Sequence, residues 1–241
     1  MQPLKKPAHV DAILWDFDGT IADSAAKNIA ITKKILSRVA PRLSGDNLPR
    51  SLQSQAEYHT ANHGAGNWRE LYRDFFGMTD TEIDIAGPLW ESYQMKDETD
   101  VTLFDGVADT VNGLSAFPQG ICSANATQNI RQILQVHGLH SSFKSVIGYE
   151  ELPEHQQKPE PEGGLRCLRE IFGDTRNKTV LLVGDHIADV IFARGLRQHL
   201  APSSQVISVV VTYSGAKPQT WQMQPDIVVD SPMELRDWIQ G

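Results

Sequence analysis

Four stretches of this chain carry side chains suited to one shared site. Asp16 and Asp18 stand two apart in Asp16-Phe17-Asp18-Gly19-Thr20, and Ser123 opens Ser123-Ala124-Asn125. Lys158 precedes Pro159, and Asp185 and Asp189 stand four apart in Gly184-Asp185-His186-Ile187-Ala188-Asp189. Four carboxylates brought within a few ångströms of one another cannot all ionise unless a cation compensates them. Hard oxygen ligands in an incomplete cage favour Mg²⁺. An Asp beside such an ion can attack phosphorus as a covalent nucleophile, and a second acid two residues on can protonate the leaving oxygen and later activate water. Lys158, Ser123 and backbone N–H groups would then hold the transferring phosphoryl oxygens. Taken singly, each residue has a plainer reading: Asp18-Gly19 as turn chemistry, Asp185 and Ser123 as helix caps, Lys158 as a solvated lysine. Their joint occurrence, in compatible chemistry and at equivalent places in the pattern below, favours a site.

The elements that must position these residues are short apolar runs. Ala12–Trp15, Gly120–Cys122, Ser145–Ile147, Thr179–Val183 and Gln205–Val211 read as strands, near-continuous in Val, Ile and Leu as parallel strands covered on both faces are. Between them lie helical stripes: Ile130, Ile133 and Leu134 with Gly138 as a stop, and Leu165, Leu168 and Phe172 between Pro161 and Gly173. Strand and helix in alternation predict an α/β fold with a mostly parallel sheet. In such a sheet the carboxyl ends of the strands form the ligand site, and each candidate above follows a predicted strand.

One segment departs from the alternation. From Ser24 to about Asp97 the pattern is helical, with stripes at Ile31, Ile35, Leu36 and Val39, at Trp68, Leu71, Tyr72 and Phe75, and at Ile83, Leu89, Trp90 and Tyr93. Ser24 is placed to cap the first, and Asn67 with Glu70 is spaced as a capping box for the second. The expected organisation is therefore residues 1–22 plus 98–241 as one domain and 23–97 as a helical insertion.

Composition narrows the function. The chain has 241 residues, 40% of them hydrophobic, which supports a proper core, and a net charge of −8 gives no global attraction for nucleic acid or anionic lipid. The first ten residues lack the apolar core of a signal peptide, and the longest apolar runs are strand-sized, so membrane insertion is not expected. Cys122 and Cys167 read as buried apolar residues in a reducing, cytoplasmic compartment.

DFDGT at 16–20, Ser123, Lys158-Pro159 and GDHIAD at 184–189 together resemble the haloacid dehalogenase superfamily, in its phosphatase branch with a helical cap after the first motif. DGVADTVNGL at 105–114 and KPEPEGG at 158–164 extend the likeness. The resemblance implies a Rossmann-like core with an inserted all-helical cap. It implies Asp16 as the nucleophile, Asp18 as general acid/base, and Lys158 as the residue that steadies Asp16 and the phosphate. Mg²⁺ would be held by Asp16, the Asp18 carbonyl and Asp185, with Asp189 supporting the metal or Lys158. Thr20, Ser123, the backbone at Ala124 and Lys158 would serve phosphate binding, Thr20 by ordering its loop.

The implied activity is Mg²⁺-dependent hydrolysis of a small phosphorylated metabolite, phosphoglycolate- or sugar-phosphate-like, by a monomer or homodimer. Relatives that release halide lack an acid at position 18, so a phosphate ester is the better substrate. A phosphomutase of the β-phosphoglucomutase type is the alternative, although the expected cap histidine is missing from Ala25-Ala26-Lys27-Asn28 and the first histidine beyond is His59. A non-catalytic phosphometabolite-binding protein is the reading from another class. The chain departs from many relatives at Ala124, where Asn is usual, and at His186, where small residues are. His59 and His63, four apart, have metal-ligand spacing without an evident third ligand; Arg69 and Arg73 could meet a second anion.

Overall fold

A computed structural model describes residues 7, 9–200 and 202–241. The stretch read above as lacking a signal-peptide core lies largely outside them. In chain order the elements are β1 (Ala12–Trp15), β2 (Ala22–Asp23), α1 (Ala25–Val39), α2 (Gln55–Gly64), α3 (Trp68–Glu70), α4 (Asp80–Ala86), α5 (Trp90–Gln94) and β3 (Thr102–Leu103). They continue as α6 (Val107–Gly113), β4 (Gln119–Cys122), α7 (Thr127–Val136), β5 (Ser145–Ile147), α8 (Glu162–Phe172), β6 (Thr179–Gly184), α9 (Ile187–Leu200), β7 (Gln205–Val211), β8 (Ile227–Val229) and α10 (Pro232–Gln240). Among the described residues no helix is long and apolar enough to cross a membrane.

The backbone divides into two compact units, one running to Ala22 and resuming at Leu103, the other Asp23–Thr102. The second unit extends beyond residue 97 because Asp97 is held within it. The Asp97 carboxylate is buried and accepts from Lys34 Nζ of α1 at 2.7 Å and from the Thr99 N–H at 3.0 Å.

The first unit is an α/β Rossmann-like fold whose six strands pair in the order β5-β4-β1-β6-β7-β8, every pair parallel. The chain leaves β1 for β4 and β5 on one side, then returns to β6, β7 and β8 on the other. That reversal beside β1 is the switch point at which open α/β sheets form their crevices. β1, β4 and β5 are buried throughout, and β6 and β7 at all but their first residue, as their unbroken apolar runs require. Ala12, Leu14, Cys122 and Val180 of the sheet pack with Cys167 and Leu168 of α8 and Phe192 and Leu196 of α9. β8 and the two short strands β2 and β3 escape sequence reading, being three or two residues long.

The second unit is helical around its own core of Ile31, Ile35, Leu36, Leu52, Tyr72 and Ile83, all but Leu52 drawn from the helical stripes read above. Its caps differ in detail from expectation. Ser24 makes no cap bond to the backbone of α1; its hydroxyl instead accepts from Asn28 Nδ2. Asn67 does cap α3, accepting from the Glu70 N–H at 3.0 Å. The Glu70 carboxylate reaches the Gly66 N–H rather than that of Asn67, so the box is half closed. The full capping box is Thr79 with Glu82 at the start of α4.

Close packing of the sheet against α8 gives a direct test. A Cβ on Gly120 would stand 2.4 Å from Cys167 Sγ, 3.1 Å from Ile171 Cδ1 and 3.2 Å from Leu14 Cδ2. Gly120→Ala is therefore expected to lower unfolding free energy in urea by about 1–3 kcal/mol. An unchanged midpoint would show that the layer has slack.

Candidate active site

The site is built outward from the end of β1. Strand alternation sends Phe17 into the core, fully buried, and turns Asp16 and Asp18 the other way. The chain then bends sharply, with the N–H groups of Ile21 and Ala22 both donating to the Phe17 carbonyl at 2.9 Å. Gly19 makes the bend feasible: its φ is +79°, and a Cβ there would fall 2.2 Å from Asp185 Oδ2. A residue with a side chain would thus be excluded both by backbone strain and by the carboxylate lying against it.

β6 runs beside β1, so its end delivers Asp185 next to Asp16. In the first turn of α9, Asp189 completes the group. Asp16, Asp185 and Asp189 are all buried, and one oxygen from each can be chosen such that all lie within 4.8 Å of one another. Lys158, from the loop between β5 and α8, reaches the same point with its side chain only 7% exposed. Its Nζ bonds Asp16 Oδ1 at 2.7 Å, contacts Asp189 Oδ1 closely, and lies 5.4 Å from the centre of the Phe192 ring.

Three buried carboxylates thus share one ammonium. Burial above all, with Asp189 and Asp185 adding to it and Lys158 opposing it, leaves the Asp16 carboxyl raised to about 8. Burial works against the Lys158 charge, but Asp16 and Asp189 outweigh it and hold the ammonium well above the usual lysine range. The residues fit a hard divalent cation: all donors are carboxylate oxygens, and three acids against one ammonium favour added positive charge. Asp16, Asp185 and Asp189 each offer one oxygen to such an ion. Asp189 accepts on both oxygens, from Lys158 and from the His186 N–H at 2.9 Å, and Asp185 does likewise, from Thr20 and Ser214. The Asp18 side chain lies outside the three-acid group.

The other predicted residues take defined places. Ser123, at the end of β4, is 5% exposed, and its Oγ accepts from the Asn125 N–H at 3.3 Å. Ala124 is exposed beside it. Thr20, expected to order its loop, is fully buried, and its hydroxyl donates to Asp185 Oδ1 at 3.4 Å.

Sequence reading missed the loop after β7 altogether. There Ser214 Oγ donates to Asp185 Oδ2 at 2.8 Å, and the Tyr213 hydroxyl donates to the Thr20 carbonyl. The signal was available, since residues 212–214 also follow a strand's carboxyl end; their uncharged side chains concealed it. Asn125 was visible only as a departure, yet its Nδ2 donates to Asp18 Oδ2 at 2.8 Å.

Within the helical unit, His59 and His63 stack with ring centres 6.2 Å apart, and His59 Nε2 lies 3.7 Å from Asp23 Oδ1. Among the described residues the three-acid group is the only cluster suited to a metal. Arg69 and Arg73 are engaged by Asp84 and Asp80, each at 2.8 Å, as surface ion pairs.

Comparison with known proteins agrees with this geometry. The haloacid dehalogenase-like hydrolase family matches residues 13–199. The N-acetylmuramic acid 6-phosphate phosphatase of Pseudomonas putida is 27% identical, covering 95% of this chain and 96% of its own length. The phosphoglycolate phosphatase of Nitrosospira multiformis is 26% identical, covering 97% of each. Among solved structures, a haloacid dehalogenase-like family hydrolase from Streptococcus pneumoniae superposes with a TM-score of 0.70 at 17% identity, covering 96% of this chain and 99% of that one. A HAD-superfamily hydrolase from Geobacter sulfurreducens gives 0.60 at 21% identity, covering 95% and 96%.

Two outcomes follow from the electrostatics. Lys158→Ala leaves buried acids without their cation, so metal-free protein is expected to lose about 3–5 kcal/mol in chemical denaturation, part of it restored by a divalent ion. Folded Asp16 holds its proton up to about pH 8 and must release it to ligate a cation. Mg²⁺ affinity measured by titration calorimetry should therefore strengthen as pH rises towards about 8 and level off above it. A pH-independent affinity would contradict this.

Proposed function

We propose that this chain, which belongs to the haloacid dehalogenase-like hydrolase family, is a phosphoric monoester hydrolase that acts on a small phosphorylated metabolite through a phosphoaspartate on Asp16. The observation that carries the reading is the convergence of Asp16, Asp185 and Asp189 around the buried ammonium of Lys158 at the sheet's switch point. The two curated relatives, whose names describe phosphatases of an amino-sugar acid 6-phosphate and of phosphoglycolate, support the substrate class.

In this reading Asp16 attacks phosphorus, and the bond from phosphorus to the ester oxygen breaks as Asp18 hands that oxygen a proton. Asp18, now ionised, takes a proton from the water that cleaves the aspartyl phosphate, which releases inorganic phosphate and restores Asp16. Lys158 holds Asp16 in place and faces the phosphoryl charge; Ser123 Oγ and the N–H at Ala124 offer donors to the phosphoryl oxygens. Mg²⁺, held by Asp16, Asp185 and the Asp18 carbonyl with Asp189 in support, would supply positive charge against those same oxygens. The helical unit, inserted directly after the Asp16–Asp18 loop, would act as the cap that selects the leaving group. A cytoplasmic place of action belongs to the same proposal.

The test is phosphate release from 2-phosphoglycolate, N-acetylmuramate 6-phosphate and common sugar phosphates, with and without Mg²⁺, by wild type and Asp16→Asn. Mg²⁺-dependent release that Asp16→Asn abolishes is the expected result. Product with phosphate moved to a second sugar position would point to a mutase, and a folded, metal-loaded wild type that releases nothing would remove the hydrolase reading.

A further inference from the structure

We infer that Asn125, itself held by Asn129, is a positioning residue that orients the Asp18 carboxylate for proton transfer and so equips the site for esters with poor leaving groups. The inference rests on the hydrolase reading above and deepens it towards alkyl phosphates.

Asn125 follows β4 and is buried, as is Asn129 in the first turn of α7. The Asn125 side chain is held at every polar atom. Its Oδ1 accepts from the Ala126 N–H at 2.7 Å and from Asn129 Nδ2 at 3.0 Å, while its Nδ2 donates to Asp18 Oδ2 at 2.8 Å. Both partners of Oδ1 are donors, so an amide rotated by half a turn would set N–H against N–H twice and oxygen against carboxylate once. The amide is therefore locked with its NH₂ towards Asp18. Its backbone is held as well: the N–H donates to Ser123 Oγ at 3.3 Å and the carbonyl accepts from the Tyr149 N–H at 3.1 Å.

A locked donor on Oδ2 fixes the plane of the Asp18 carboxyl group. With that plane fixed, the direction in which Asp18 presents its proton is fixed as well. As the ester bond breaks, the carboxyl O–H bond of Asp18 breaks and its proton forms the O–H of the departing alcohol, while the phosphoryl group passes to Asp16. Alignment of that proton matters most when the departing oxygen is a strong base. An alkyl phosphate depends on it; an aryl phosphate such as p-nitrophenyl phosphate, whose leaving oxygen is stable unprotonated, depends on it little.

The experiment measures kcat/KM for the alkyl phosphate that wild type cleaves best and for p-nitrophenyl phosphate, since kcat/KM reports leaving-group departure without the later attack of water. Asn125→Ala is expected to lose about tenfold or more on the alkyl ester and to stay within about threefold on the aryl ester. Asn129→Ala is expected to show the same selective loss in weaker form, and the double variant to be no worse than Asn125→Ala alone. Should Asn125→Ala fail to fold, Asn129→Ala carries the same comparison. Equal losses on both esters, no loss on either, or additive effects in the double variant would overturn the positioning role while the hydrolase reading stood. A wild type inactive on every ester would overturn both.

Discussion

The buried ammonium of Lys158 is the constraint around which the first unit's functional end is organised. A lysine stripped of water would ordinarily surrender its proton. Here it keeps it because Asp16, at the end of β1, and Asp189, in the first turn of α9, both contact it. The converse holds for the acids, since three carboxylates in so little space need positive charge close by. Buried ion pairs of this kind add little net stability and are retained where specificity or chemistry requires them.

That arrangement depends on the sheet's order. β1 and β6 are neighbours, with β4 on the other side of β1, so residues separated by more than 160 positions in sequence meet at one rim. Parallel pairing brings all three carboxyl ends to the same side. The glycine at 19 then lets the β1 loop lie directly against Asp185. Fold and site are thus one problem: any shift in strand register would separate the acids from the lysine that balances them.

A layer of neutral groups surrounds the charges and decides their orientation. Thr20 and Ser214 donate to the two oxygens of Asp185, the His186 N–H to Asp189, and Asn125 to Asp18. A carboxylate on a strand-end loop has rotamers to choose from, and fixed donors choose among them. The candidate acids are easily noticed in a sequence; the groups that orient them are neutral.

By itself the chain's residue pattern determined the alternating α/β class, the helical insertion after the first strand, and the identities of Asp16, Asp18, Ser123, Lys158, Asp185 and Asp189 as a candidate set, because periodicity and charged residue types are local properties. It did so less well for short strands such as β2, β3 and β8, which are too brief for a period to show, and for Ser24, whose hydroxyl found a side chain rather than the backbone. Only the tertiary structure decided that Thr20 serves Asp185, that Ser214 joins it from the loop after β7, and that Asn125 faces Asp18 with its donor end. Those assignments are pairings between residues far apart in sequence, made by neutral groups whose many local uses leave no trace of the distant partner they meet.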